Sequence, residues 1–230
     1  MARTIAILVL SLVIATAAPA SAQDIPAGVR IHGGYVSGTE YLDMSAAERE
    51  AYVAGLLSGA RLAPSFGAPP ERLEWLMGCT SVLNRAELAD RIYDAIFADT
   101  RLWDNRNPAK VYRAVVAACR AAAAGARTEA TAPFTVRDYV SMGGLQKKAF
   151  VSGVLEGMLL APAFGADETR MEWFLACTTE IDRIEMRAKI NDYVMARSDL
   201  WPDTDPAPYY RAVADACRAW TSRTPQGSSR

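Results

Sequence analysis

Leu62-Ala63-Pro64-Ser65-Phe66-Gly67-Ala68 returns 98 residues later as Leu160-Ala161-Pro162-Ala163-Phe164-Gly165-Ala166. The same offset, extended outward, aligns Thr39–Ala121 with Arg137–Ala219 without a gap, and 35 of the 83 pairs are identical. Chance accounts for about five or six such matches, so the chain reads as an internal duplication. Two copies are too few for a solenoid, which leaves two tandem domains, 39–121 and 137–219.

The apolar period inside each copy is helical. Tyr52, Val53, Leu56, Leu57 and Ala60 fall on one face, and Phe150, Val151, Val154, Leu155 and Met158 repeat the stripe. Leu88, Ile92, Ala95 and Ile96 mark a later helix, mirrored by Met186, Ile190, Tyr193 and Val194; Tyr112, Val115, Val116 and Cys119 mark the last. Start signals fall where the period begins. Ser45-x-x-Glu48 is a capping box, Asn84-x-x-Glu87 and Asp182-x-x-Glu185 sit at matching points, and Asn107-Pro108 and Asp205-Pro206 pair a cap with a first-turn proline. Pro69-Pro70 and Asp167 open the second helix of each copy. With no sustained period-two alternation, the expected architecture is all-α, with two tandem four-helix domains.

The four cysteines, Cys79, Cys119, Cys177 and Cys217, allow three pairings. Each copy holds one pair at the same separation, so Cys79–Cys119 and Cys177–Cys217 is the pairing that closes each domain by itself. A metal site would need C-x-x-C spacing and His partners, and the chain has one His, His32. No metal ligand and no cofactor site is expected.

Residues 1–22 read as a signal peptide. Arg3 is the only charge before the apolar run Ile5 to Ala18, and Pro19-Ala20-Ser21-Ala22 offers an A-x-A cleavage point before Gln23. The run is short for a membrane span, so no span is expected after cleavage, and a periplasmic or secreted location is expected, where disulfides form. The stretch 23–38 reads as a flexible leader, 122–136 as a linker and 220–230 as a disordered tail, from their Gly, Ser, Thr and Pro content.

With 25 Lys+Arg against 26 Asp+Glu, the chain has no surplus of positive charge with which to neutralise nucleic-acid phosphates. Its lone histidine removes most Ser-His and Cys-His chemistry. Glu74-Trp75 and Glu172-Trp173 suggest a carboxylate pair beside sugar platforms, but they are duplicates of each other, and glycan hydrolysis needs two acids in unlike environments. No catalytic residue is assigned. Gly55-x-x-x-Gly59 and Gly153-x-x-x-Gly157 read as tight helix crossings inside soluble domains, because charges bracket the first within about ten residues. Trp103 and Trp201, at helix-to-loop corners, are core-closing residues and the candidate anchors for a protein partner.

The glycine-spaced helix, the mid-domain cysteine, and the closing Ala114 to Cys119 and Ala212 to Cys217 segments resemble the Rap/Tai family. These are small all-α, disulfide-bonded periplasmic immunity proteins that block peptidoglycan amidase effectors delivered by type VI secretion. The resemblance implies a non-enzymatic binding protein, its two domains packed as a pseudo-dimer, with a cell-wall amidase as partner. It carries no inhibitory residue onto this chain. The alternative is a structural or envelope-stress protein with no toxin target.

Overall fold

The computed structural model describes residues 24–80, 83–104, 106, 108–124, 134–200 and 204–221. The expected signal peptide lies outside these residues, as do Trp201, Asn107 and most of the expected linker and tail. The described residues are all-α, with no strand among them. The first half contains α1 (Gly38–Leu42), α2 (Ala46–Ala60), α3 (Glu74–Thr80), α4 (Arg85–Ala98) and α5 (Pro108–Ala124). The second contains α6 (Val136–Ser141), α7 (Gly144–Leu159), α8 (Glu172–Glu180), α9 (Arg183–Met195) and α10 (Ala207–Thr221).

The long helices α2, α4, α5, α9 and α10 begin at or next to their sequence signals, whereas Pro69-Pro70 and Asp167 open short 3₁₀ turns, Pro70–Leu73 and Glu168–Met171, that lead into α3 and α8. Ser45 and Glu48 form the capping box of α2, Asn84 accepts the Glu87 amide at 2.7 Å, and Asp182 accepts the amides of Ile184 and Glu185. Pro108 takes the first position of α5, where its missing N–H costs nothing. A short helix precedes each set, α1 capped by Ser37 and α6 by Thr135. Part of the expected leader is therefore ordered: Gly38 begins α1 and Tyr35 is buried, because its amide is held by a carboxylate described below. The expected linker also shortens, since α5 runs on to Ala124.

Both disulfides close within their own half, Cys79–Cys119 and Cys177–Cys217, each spanning 40 residues. They staple α3 to α5 and α8 to α10.

The two glycine-spaced faces pack on each other. The crossing runs between the halves, α2 against α7, and does not close inside each one. A Cβ on Gly55 would strike the Phe150 carbonyl, and one on Gly59 the Val154 carbonyl; Gly153 and Gly157 stand in the same relation to the carbonyls of Tyr52 and Leu56. With only hydrogen on the facing surfaces, the two backbones come into direct contact. The helices at this crossing are buried nearly all round, Ala51 to Leu56 on α2 and Ala149 to Leu159 on α7. A stripe is what a surface helix needs; these two lie at the centre of the molecule, so every face of them is a core face.

A single apolar core results, drawing on both halves. The repeated Leu-Ala-Pro-x-Phe-Gly-Ala stretch contributes to it directly. Each copy makes a short 3₁₀ turn that ends on a glycine with positive φ, 89° at Gly67 and 88° at Gly165, a conformation that costs glycine nothing. The phenylalanine before that glycine is delivered into the other half. Phe66 contacts Trp173, Phe174 and Tyr210, while Phe164 contacts Trp75 and Tyr112.

Candidate functional site

Several residues singled out in the sequence belong to the core. Trp75 is 5% exposed and packed on Tyr112 and Phe164; Trp173 is half-buried on Phe66. Neither is an open platform for a sugar, while Glu74 and Glu172 stand exposed at the starts of α3 and α8. Trp103 is half-buried and donates its indole N–H to the Ile96 carbonyl at 3.2 Å, closing the corner between α4 and α5. Its own carbonyl accepts the Thr39 amide, which ties α1 to that corner. Among the described residues no group of three His, Cys, Asp or Glu side chains is placed to hold a metal ion, and no helix is long and apolar enough to cross a membrane.

One cleft that combines apolar and charged groups, of about 410 Å³, lies where the halves meet. Its walls come from α1 and α2 on one side and from α7 and α9 on the other. Glu48 and Lys148 face each other from α2 and α7. The Ser45 hydroxyl and amide hold the Glu48 carboxyl below its ordinary range, and Lys148 lowers it further. Leu145 and Ile184 stand on the rim, 65% and 68% exposed. They are the two most exposed of the large hydrophobic side chains among the described residues, and both stand at the opening of one cleft.

A second, more open cleft of about 890 Å³ lies beside the first, lined by His32, Arg106, Leu175 and Thr179 among others. Tyr35 lines both clefts. The backbone that carries it is fastened from below. The Glu156 carboxylate, 1% exposed on α7, accepts the Tyr35 and Val36 amides on Oε1 at 2.6 Å each, and the Tyr52 hydroxyl donates to its other oxygen. Among the described residues no ion pair reaches Glu156. Burial pushes its carboxyl up to about 7, against the lowering effect of its three donors. The same burial raises the Tyr52 hydroxyl.

Sequence reasoning passed over Glu156, although a signal was present. It is the only charged residue between Lys148 and Asp167, in a run otherwise apolar or small, and the aligned residue of the first half is Ser58. Ser58 returns its hydroxyl to its own helix, donating to the Ala54 carbonyl at 2.8 Å. Comparison with family models, curated proteins and solved structures gives no match for this chain.

Proposed function

We propose that the chain is an exported, non-enzymatic binding protein that engages a protein partner across the junction cleft. The observation that carries this reading is the pair of aliphatic side chains, Leu145 and Ile184, held in water over a cleft with opposed charges. An apolar anchor with charged groups around it is the composition of a protein contact. Two disulfides and a crossing of bare backbones make the platform rigid, which lowers the entropy lost on binding. In keeping with the resemblance to the Rap/Tai immunity proteins, the partner proposed is a periplasmic peptidoglycan amidase.

The test is calorimetric titration of the purified chain against periplasmic peptidoglycan amidases, paired with a cell-wall hydrolysis assay. The expected result is a stoichiometric complex that suppresses hydrolysis and is weakened at least tenfold by Leu145→Glu or Ile184→Glu. Absence of a complex with any amidase overturns the amidase assignment. Broad, weak binding of unfolded polypeptides would replace it with an envelope-stress role.

A further inference from the structure

The backbone from residue 31 to residue 37 crosses the α2/α7 junction as a band between the two clefts. Three attachments hold it. Glu156 clasps two successive amides, the Gly34 amide donates to the Arg106 carbonyl, and the Tyr35 hydroxyl reaches the Thr178 carbonyl at 3.4 Å. The band lies close on its support: a Cβ at Gly34 would come within 2.6 Å of Glu156 Oε1 and 2.8 Å of the Pro108 ring. Only glycine lets the chain descend far enough for the next two amides to meet the carboxylate.

The sequence of the other half offers no such clasp. The residue aligned with Tyr35 is Pro133, which has no N–H to give, and the one aligned with Glu156 is Ser58. Phe134, aligned with Val36, stacks instead on Phe150 with ring centroids 4.8 Å apart. The junction is therefore closed on one side by aromatic packing and on the other by an ionisable group. The fold does not require the second arrangement.

We propose that segment 31–37 is a pH-responsive strap: Glu156 keeps it closed while protonated, and ionisation of the buried carboxyl favours its release, joining the two clefts into one groove. The protonated group fits the closed site, with Oε1 accepting both amides and the acid hydrogen donated to the Tyr52 oxygen. The ionised group keeps its three donors but leaves a charge out of water with no cation beside it. The charge that acts on it is that of Glu40 from α1, an anion itself paired with Arg106. Tyr52 of α2 meets it as a neutral hydroxyl and the Pro108 ring of α5 lies beside it, while His32 and Arg106 line the second cleft and Lys148, Asp182 and Arg187 line the first. Lifting the strap lets water reach the carboxylate. The closed state thus holds the proton more tightly than the open one, and by linkage a rise in pH favours opening.

The experiment is amide hydrogen exchange on the full chain from about pH 5 to pH 8, expressed as protection relative to an unstructured peptide. Protection of Tyr35 and Val36 is expected to fall by at least tenfold across this range, up to about tenfold per pH unit, while protection of Val213 in α10 stays level. In Glu156→Gln, whose side chain keeps a carbonyl acceptor for the amides and a donor toward Tyr52 but cannot ionise, protection should be independent of pH. Tyr52→Phe, which copies the aligned Phe150, removes a donor from the ionised form and should extend the fall to higher pH. Level protection in the unmodified chain overturns the proposal. So does an equal fall in Glu156→Gln, which would place the titration on another group, or an unchanged profile in Tyr52→Phe.

Discussion

The Phe66 ring stacks on Trp173, centroids 6.2 Å apart and planes 28° from parallel, although the two residues belong to opposite halves. Phe164 answers it on Trp75, at 6.5 Å and 25°. Each half therefore supplies a side chain that the other half's core lacks.

Phe66→Ala and Phe164→Ala should each destabilise the whole molecule by about 3–5 kcal/mol, because both rings are fully buried and the space cannot collapse without moving the other half. Urea unfolding followed by far-UV circular dichroism should show one transition in each variant. A double-mutant cycle of Phe66 with Trp173 should return a coupling of about 0.5–1.5 kcal/mol.

Gly55→Ala and Gly157→Ala put a methyl group against a backbone carbonyl across the α2/α7 crossing, where no side chain can yield. A loss of about 1–3 kcal/mol or more is expected for each. Gly78→Ala, in the interior of α3 with nothing within 4 Å of the new methyl, should instead be neutral or stabilising by up to about 1 kcal/mol. Melting temperatures of the three variants side by side separate crowding from helix propensity.

Each disulfide closes a loop of 40 residues, for which the chain-entropy relation gives about 4 kcal/mol of stabilisation. Replacing Cys79 and Cys119 together by Ala should cost roughly that amount, and the Cys177 and Cys217 pair should cost the same. Peptide mapping without reductant should recover only these two links; a link from one half to the other would refute the pairing.

Global stability should fall as pH rises between about 4.5 and 7. Over that interval the buried Glu156 carboxyl holds its proton in the folded chain and has lost it in the unfolded one. The interval corresponds to a contribution on the order of 3 kcal/mol. Denaturant midpoints of the native chain and of Glu156→Gln, measured at the same pH values, should converge in acid and separate toward neutrality, with the variant the more stable. The carboxyls of half-buried Asp99 and of exposed Asp167 and Asp199 are lowered by hydrogen bonds and act in the opposite sense, at more acid pH.

Much of the fold is legible in single residues. Ser45, Asn84 and Asp182 place helix starts because a cap is a local interaction, satisfied within three residues of the side chain that makes it. The cysteine pairing follows from equal spacing. The partner of the glycine face was not legible: Gly55 and Gly59 announce a close approach but say nothing about which helix approaches, and the answer lies about 100 residues away. Ala95, placed on the core stripe by its spacing, is exposed, and Ala89 is buried instead, because the neighbours of α4 set its rotation. Trp103 behaves as a corner residue should. The junction cleft could not be anticipated, since Leu145 and Ile184 look like ordinary apolar helix positions until their surroundings are known.

The exchanged phenylalanines and the facing glycines have a consequence for how the molecule is held in one piece. Two separate half-chains would have to find each other by diffusion, and dilution would part them. Written on one polypeptide, they meet at an effective concentration that dilution does not lower. Assembly thereby becomes independent of how much protein the cell makes. It also removes the need for self-complementarity: a homodimer must place the same residue at both symmetry-related positions, whereas this chain can carry Glu156 at one of them and Ser58 at the other.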